Sequence, residues 1–259
     1  MSVDGFLADA DVQVLTPQGW QSGGGPLPRG GRHLRLDQRH CNARDGLAAV
    51  DCYARIEDAH ASPPTAYGTA FRRGNRIALQ YWLWYAFNPY SPSVPAGELW
   101  QVHEGDWEAV EVLLDRSGKP LVAGYSQHGE GTRRSWSRVP RRGSHPIVYV
   151  ALGSHANYFR PGTHRFDPRV VEPLLISIIE QNGYEPVDHT GAGSTLRLNL
   201  VRITETAPGW MAYTGTWGED QFLRAPGQAP IAFGTGPRGP ALHELWRVPV
   251  ADVLGWPPG

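Results

Sequence analysis

The chain has 259 residues, 41% of them hydrophobic, with ten Trp, ten Tyr and seven Phe and a formal net charge of −1. This is enough apolar material for a sizeable core, and the balanced charge excludes the global basic field that drives nonspecific nucleic-acid binding. The 31 Gly and 23 Pro lie between short apolar runs without a Gly-X-Y period, which excludes collagen and points to many strands and turns.

Asp11 to Leu15 alternates weakly and reads as a first strand; the glycines from Ser22 to Gly31 mark a loop. Residues 47–56 are ambiguous: Leu47 and Val50 fit a helix, while Cys52-Tyr53-Ala54-Arg55-Ile56 leans towards strand. Ile77 to Phe87 is an apolar, aromatic run broken by Gln80, as a central strand buried on both faces requires. A proline-rich loop, Asn88 to Gly97, precedes the acidic hexapeptide His103-Glu104-Gly105-Asp106-Trp107-Glu108, which opens onto the mostly apolar strand 109–114.

Pro120 to Ser126 and Pro146 to Leu152 are the next strands, the latter with the clearest β signal. Pro173 begins a helix with its body at Leu174 to Gln181 and its stop at Gly183. Leu196, Leu198 and Leu200 alternate with polar residues as in a half-buried strand, and Trp210, Trp217 and Trp246 read as packing anchors. No composition shift marks a boundary, so the expectation is one mostly-β domain over 1–259, a β-sandwich with a few peripheral helices and an irregular N-terminal extension over 1–45.

Lys119 is the only lysine against 23 arginines, a skew that fits a GC-rich genome. Arg133, Arg134, Arg138, Arg141 and Arg142 surround Trp136, either as a solvated loop or as an anion-binding rim. Cys41 and Cys52 are too few for a disulfide scaffold and do not have zinc-knuckle spacing; one bridge is open to them in an oxidising compartment. The N-terminus lacks the charged and apolar parts of a signal peptide, and no apolar run reaches the roughly 20 residues that span a bilayer. The expected location is cytoplasmic, with unconventional export as the exception, and no transmembrane segment or nucleic-acid partner is expected.

The hexapeptide is the strongest chemical signal. Carboxylates that lead into a core must be hydrogen-bonded, solvated or neutralised by a cation. Strand alternation puts Asp106 and Glu108 on one face with Val110 and Val112. A bulge at Gly105 would bring His103 to the same point. Two carboxylates and an imidazole suit Mg²⁺, Mn²⁺ or Ca²⁺, with Zn²⁺ or Fe²⁺ as alternatives; surface acids paired with arginines are the competing reading. His128 and His155 each follow the end of a strand, where β-scaffolds present binding groups, and are the candidate bases. No nucleophile elbow, activated cysteine or phosphate-binding Gly-rich loop is present.

Tyr81-Trp82-Leu83-Trp84-Tyr85 with Asn88, then His-Glu-Gly-Asp-Trp-Glu, Tyr125-Ser126-Gln127-His128-Gly129 and the run from His145 to Tyr158 resemble the vacuolar protein sorting-associated protein sixty-two-like family over roughly residues 75–250. More distantly, the hexapeptide is similar to the heptapeptide of the necrosis- and ethylene-inducing peptide-like cytolysins. Those cytolysins are β-sandwiches that hold a divalent cation. Carried over by position, their ligands imply Asn88, His103, Asp106 and Glu108 as a metal site, with Ca²⁺ or Mg²⁺ first and Mn²⁺ or Zn²⁺ after; Asn88 stands where the cytolysins have a carboxylate.

Two functions follow as expectations. One is a metal-dependent enzyme with His128 or His155 as acid or base. It would act on a small polar, glycan or lipid-derived substrate that Trp107, Tyr125, Asn157 and Tyr158 line. The other is a non-catalytic, metal-dependent module that binds a glycan or lipid head group.

Overall fold

The computed structural model describes residues 1–28, 33–91, 93, 94, 97–166, 181, 183 and 185–250. In chain order these form α1 (Val3–Asp9), β1 (Ala10–Thr16), β2 (Gly19–Ser22), β3 (Leu34–Gln38), α2 (Val50–Ala59), β4 (Thr65–Arg73) and β5 (Arg76–Tyr90). There follow β6 (Ser93–Val94), β7 (Gly97–Glu98), β8 (Trp100–Leu114), β9 (Pro120–Gln127), β10 (Glu130–Ser135), β11 (Arg141–Arg142), β12 (His145–Pro146), β13 (Tyr149–Val150) and β14 (Asn157–Tyr158). The remaining strands are β15 (Gly162–Arg165), β16 (Val187–Thr190), β17 (Asn199–Arg202), β18 (Thr216–Trp217), β19 (Gln221–Arg224) and β20 (Ile231–Gly234). The protein is mostly β with a few helices, as its turn-rich composition requires.

The residues divide into two compact units, and β5 and β8 contribute to both. The first unit comprises Met1–Thr65, Trp84–Trp107 and Arg197–His243. Its sheet has the order β18-β3-β1-β2, antiparallel except where β18 runs parallel to β3. Its core is a tryptophan cluster: the rings of Trp84 and Trp107 are 4.9 Å apart, and Trp217 meets them at 5.1 and 5.4 Å. Such tilted and edge-on pairs add about 0.5–1.5 kcal/mol each to plain burial.

Residues 52–56, read as leaning to strand, lie in α2 instead. Tyr53 and Ile56, three apart, bury one helical face, and Cys52 is tied to Cys41 by a disulfide. Periodicity in so short an apolar run does not separate helix from strand.

The second unit comprises Ala66–Leu83, Glu108–Leu196 and Glu244–Gly259. β4 and β5 form a long hairpin around Gly74, and β8, β9 and β10 continue antiparallel, Val110 facing Tyr125 and Thr132 facing Tyr125 from the other side. Val110, Val112, Ala123, Tyr125, Val139 and Phe159 form its core. The Pro146–Leu152 strand is overturned: only the two-residue pairings of β12 and β13 form there. Its apolar side chains pack, Val148 and Tyr149 among them, without a continuous ladder.

The Leu196–Leu200 region does contain a strand, β17, but the three leucines are 42–66% exposed rather than half-buried. Trp210 and Trp217 are buried as anchors. The expected helix body at 173–180 lies outside the described residues.

Gly105 sets the shape of β8 within the first unit. It adopts φ +67, and a Cβ there would overlap the carbonyl oxygen of Trp217. The converse holds at Gly218, where a Cβ would overlap the Glu104 carbonyl. Two backbones approach here more closely than any side chain permits. Gly105→Ala is therefore expected to destabilise the protein by on the order of 3 kcal/mol, from left-handed strain plus overlap. A denaturant midpoint equal to that of wild type would show the approach to be dispensable.

Candidate functional site

The end of β9 and the turn after it carry three consecutive polar residues, each bonded to a different partner in the second unit. Ser126 donates to Glu108 and accepts from the Ala109 N–H at 2.7 Å. Gln127 donates through Nε2 to the Asn157 carbonyl at 2.7 Å. His128 places Nε2 2.8 Å from Asp188 Oδ2. Gln127 pairs with Glu130, so His128 and Gly129 make a two-residue hairpin turn.

His128 adopts φ +54 there, a conformation that glycine takes freely and that costs a residue with a Cβ roughly 1–2 kcal/mol. That strain aims an imidazole at a buried carboxylate.

Asp188, on β16, is 1% exposed. Besides His128 it accepts the hydroxyl of Ser154 at 2.5 Å and that of Tyr158 at 2.6 Å. Burial by itself pushes this carboxyl up, but the bonds from His128, Ser154 and Tyr158 and the His128 charge together hold it below the ordinary range. It is thus an anion held by donors. Burial, and then the Asp188 charge, push the Tyr158 phenol well up, so this hydroxyl stays a donor. Phe166 packs on the His128 ring and His164 stacks on Tyr158, each at 3.8 Å; burial pushes the His164 imidazole down.

Asn157, fully buried, donates through Nδ2 to Glu108 at 3.3 Å, while its Oδ1 has no hydrogen-bond partner among the described residues. An unmet buried acceptor costs about 1–3 kcal/mol, and it invites a functional explanation. Tyr125 stacks on Phe159 at 3.8 Å and donates to the Ile147 carbonyl at 3.0 Å. His155 follows Ser154 at φ +56, its N–H 3.2 Å from the Ala151 carbonyl; the ring that meets Asp188 is that of His128. Trp107 belongs to the first unit, buried in the tryptophan cluster. Sequence reasoning missed Asp188 altogether: it sits in a short strand with no flanking motif, and only the fold brings it to His128.

The expected divalent-metal site is overturned. Among the described residues no group of three or more His, Cys, Asp or Glu is arranged to hold a metal ion. The physical reason lies in the partners. Asn88 spends its Nδ2 on Asp106 at 3.0 Å and its Oδ1 on the Tyr90 N–H at 3.3 Å. His103 Nδ1 lies 2.7 Å from the Gly105 carbonyl, and Glu108 is held by Ser126 and Asn157. Protein donors meet the demand that a cation was invoked to meet. The assignment of Ca²⁺, Mg²⁺, Mn²⁺ or Zn²⁺ to Asn88, His103, Asp106 and Glu108 falls, and with it both the metal-dependent enzyme and the metal-dependent head-group module.

In the first unit a second acidic group lies beneath α2. Glu104, fully buried, accepts the Gln38 N–H at 2.9 Å, the Tyr53 hydroxyl at 3.2 Å and the Glu219 N–H at 3.2 Å. Glu219 accepts the Ala43 N–H at 2.9 Å and lies 3.5 Å from Arg35. Asp37 accepts from Gln13, which in turn accepts from Arg35 at 2.7 Å. Asp37 and Glu219 line a cavity of about 320 Å³ together with Gln38, Asn42 and the Cys41–Cys52 disulfide.

Fold and site thus define a mostly-β protein with a buried histidine–carboxylate network. The chain is similar to two proteins of Saccharomyces cerevisiae. One, TDA6, named for vacuolar protein sorting, is 27% identical over 205 residues, 68% of this chain and 44% of the relative. The other, vacuolar protein sorting-associated protein 62, is 25% identical over 210 residues, 71% of this chain and 44% of the relative. The chain spans less than half the length of these curated relatives. No family model matches and no solved structure matches, so the cytolysin likeness gains no support.

The first-unit acids have a consequence for stability. Burial, then Glu219 and Asp11, push the Asp37 carboxyl up to about 7 against the pull of Arg35 and Gln13. Burial, then Asp37 and Glu219, push Glu104 well up, and burial, with Asp220 and Asp45, raises Glu219. An acid whose folded value is raised binds its proton more tightly when folded, so its stabilisation is lost as pH rises from about 4, the ordinary range, through the folded value. The melting temperature is expected to fall between about pH 4 and 7, and Asp37→Asn to flatten part of that fall. A wild-type melting temperature that rises throughout the interval, with Asp37→Asn unchanged in slope, would contradict the assignment.

Proposed function

We propose that the chain is a general acid–base enzyme on a β-sandwich scaffold, acting on a small polar, glycan or lipid-derived substrate, with His128 as the proton-transfer group. The observation that carries this reading is Asp188: a buried carboxylate, held anionic, that accepts His128 Nε2 along with the hydroxyls of Ser154 and Tyr158. When the His128 ring takes a proton from a substrate hydroxyl or a water, the imidazolium forms next to a negative charge that needs no reorganisation.

Ser154 and Tyr158 orient the carboxylate, and the strained turn orients the ring. His155 is the second proton carrier, and Tyr158 belongs to the wall of the site.

The test is a panel of chromogenic esters, phosphodiesters and glycosides assayed with wild type, His128→Gln and Asp188→Asn. Turnover of at least one class is expected, lost about 10²–10⁴-fold in His128→Gln, with unchanged melting because Gln keeps a donor towards Asp188. Asp188→Asn is expected to lower the rate as well, because the imidazolium loses its negative partner. Turnover indifferent to His128, or none across the panel, would sink the proposal.

A further inference from the structure

From Gly131 to Phe166 the chain carries seven arginines and no acidic residue. This one-signed stretch begins on β10, the outer strand of its sheet, and continues through a single helical turn at Trp136–Arg138 into the β11–β12 hairpin, where Arg142 faces His145. Exposure alone would leave these arginines as a solvated rim, but two features organise them. The guanidinium of Arg134 lies 4.7 Å over the Phe159 ring and that of Arg141 5.1 Å over Trp136. Both aromatic rings pack into one cluster with Val139 and Val148. The two cations are therefore fixed against a common apolar base, and stacking leaves the guanidinium edge to face an oxygen anion.

Arg138 and Arg142 are exposed beside them. The Ile147 N–H, bonded to the Pro140 carbonyl at 2.8 Å, ties the hairpin base to the turn.

We infer that this arginine-rich face docks on the phosphate plane of an anionic phospholipid membrane. The guanidinium groups are presented by an edge strand, a turn and a hairpin rather than converging on one buried point, which suits a plane of many phosphates better than a single ion. Trp136, half-buried among arginines, has the amphipathic character of residues that settle at the head-group level. A nucleic acid is the weaker match: a chain of net charge −1 lacks the long-range field that steers such a polyanion, whereas a bilayer needs only one basic face within a Debye length. No helix among the described residues is long and apolar enough to cross a membrane; contact at the surface asks for none.

The experiment is co-sedimentation of the full chain with vesicles of equimolar phosphatidylcholine and phosphatidylserine, beside vesicles of phosphatidylcholine alone. Binding to the mixed vesicles at about 0.1 M salt, lost at about 1 M, is expected. Each basic residue near an anionic surface counts for about fivefold in affinity, so Arg138→Glu with Arg142→Glu is expected to weaken binding well over tenfold. Neither side chain is among those stacked on the aromatic cluster, and an unchanged melting temperature will show that the variant folds. Binding to both vesicle types alike, no binding to either, or capture by the variant equal to wild type would overturn the inference. So would retention by a single-stranded oligonucleotide in place of the mixed vesicles. If the arginines serve only to keep the β10 edge from pairing with other chains, the vesicles will not bind and the inference is wrong.

Discussion

The strand β8 carries four carboxylates, Glu104, Asp106, Glu108 and Glu111, into surroundings where none is more than 8% exposed. Leaving even one of them bare would cost several kcal/mol, comparable with the whole stability of an ordinary domain. Much of the polar architecture answers that constraint. Gln38, Tyr53 and Glu219 supply donors to Glu104, and Asn88 supplies one to Asp106. Ser126 and Asn157 meet Glu108; Gln80 and the Val250 N–H meet Glu111. These partners lie far apart in sequence, so the acids of one strand help to specify which distant segments come inside. Polar satisfaction here dictates topology as firmly as apolar burial does.

That constraint explains what the sequence could and could not reveal. Ile77–Phe87 and Pro120–Ser126 are legible as strands because apolar runs bounded by Gly, Pro and Asn have one economical conformation, and both are found within β5 and β9. Cys52–Ile56 is not, since five residues satisfy either period, and what decides is a disulfide and the Tyr53 contact with Glu104. The acidic hexapeptide announces carboxylates that need neutralising without saying by what. A cation and a set of amides and hydroxyls are equivalent answers at that level, and Asn88, Ser126 and Asn157 look unremarkable until the chain is folded. Asp188 is less legible still, because its role depends on three residues 30 to 60 positions away.

The histidine turn is an exception to local rules. Residues at φ +54 in a two-residue hairpin are ordinarily Gly or Asn, and His128 gives up roughly 1–2 kcal/mol to stand there. The adjoining Gly129 could have taken the same strain at no cost had the turn been shifted by one residue. Shifting it would move the imidazole away from Asp188, because ring and carboxylate meet at the end of a ladder whose register Tyr125, Ser126 and Gln127 already fix. The strained conformation therefore stands where the imidazole reaches Asp188.

The two acidic centres resolve the same desolvation penalty in opposite directions. Glu104 sits near Asp37 and Glu219, so repulsion adds to burial and its carboxyl rises. Asp188 is about as deeply buried, yet it has an imidazole and two hydroxyls pointed at it, and its carboxyl falls. Depth therefore does not decide the state of these acids; the sign and number of their neighbours do. Only an acid of the second kind can orient an imidazole and stabilise its cation near neutral pH, since a protonated carboxyl would offer one donor and no charge. Glu104, raised by burial and by its acidic neighbours, accepts from Gln38, Tyr53 and Glu219 and so cross-links β8 to β3 and α2.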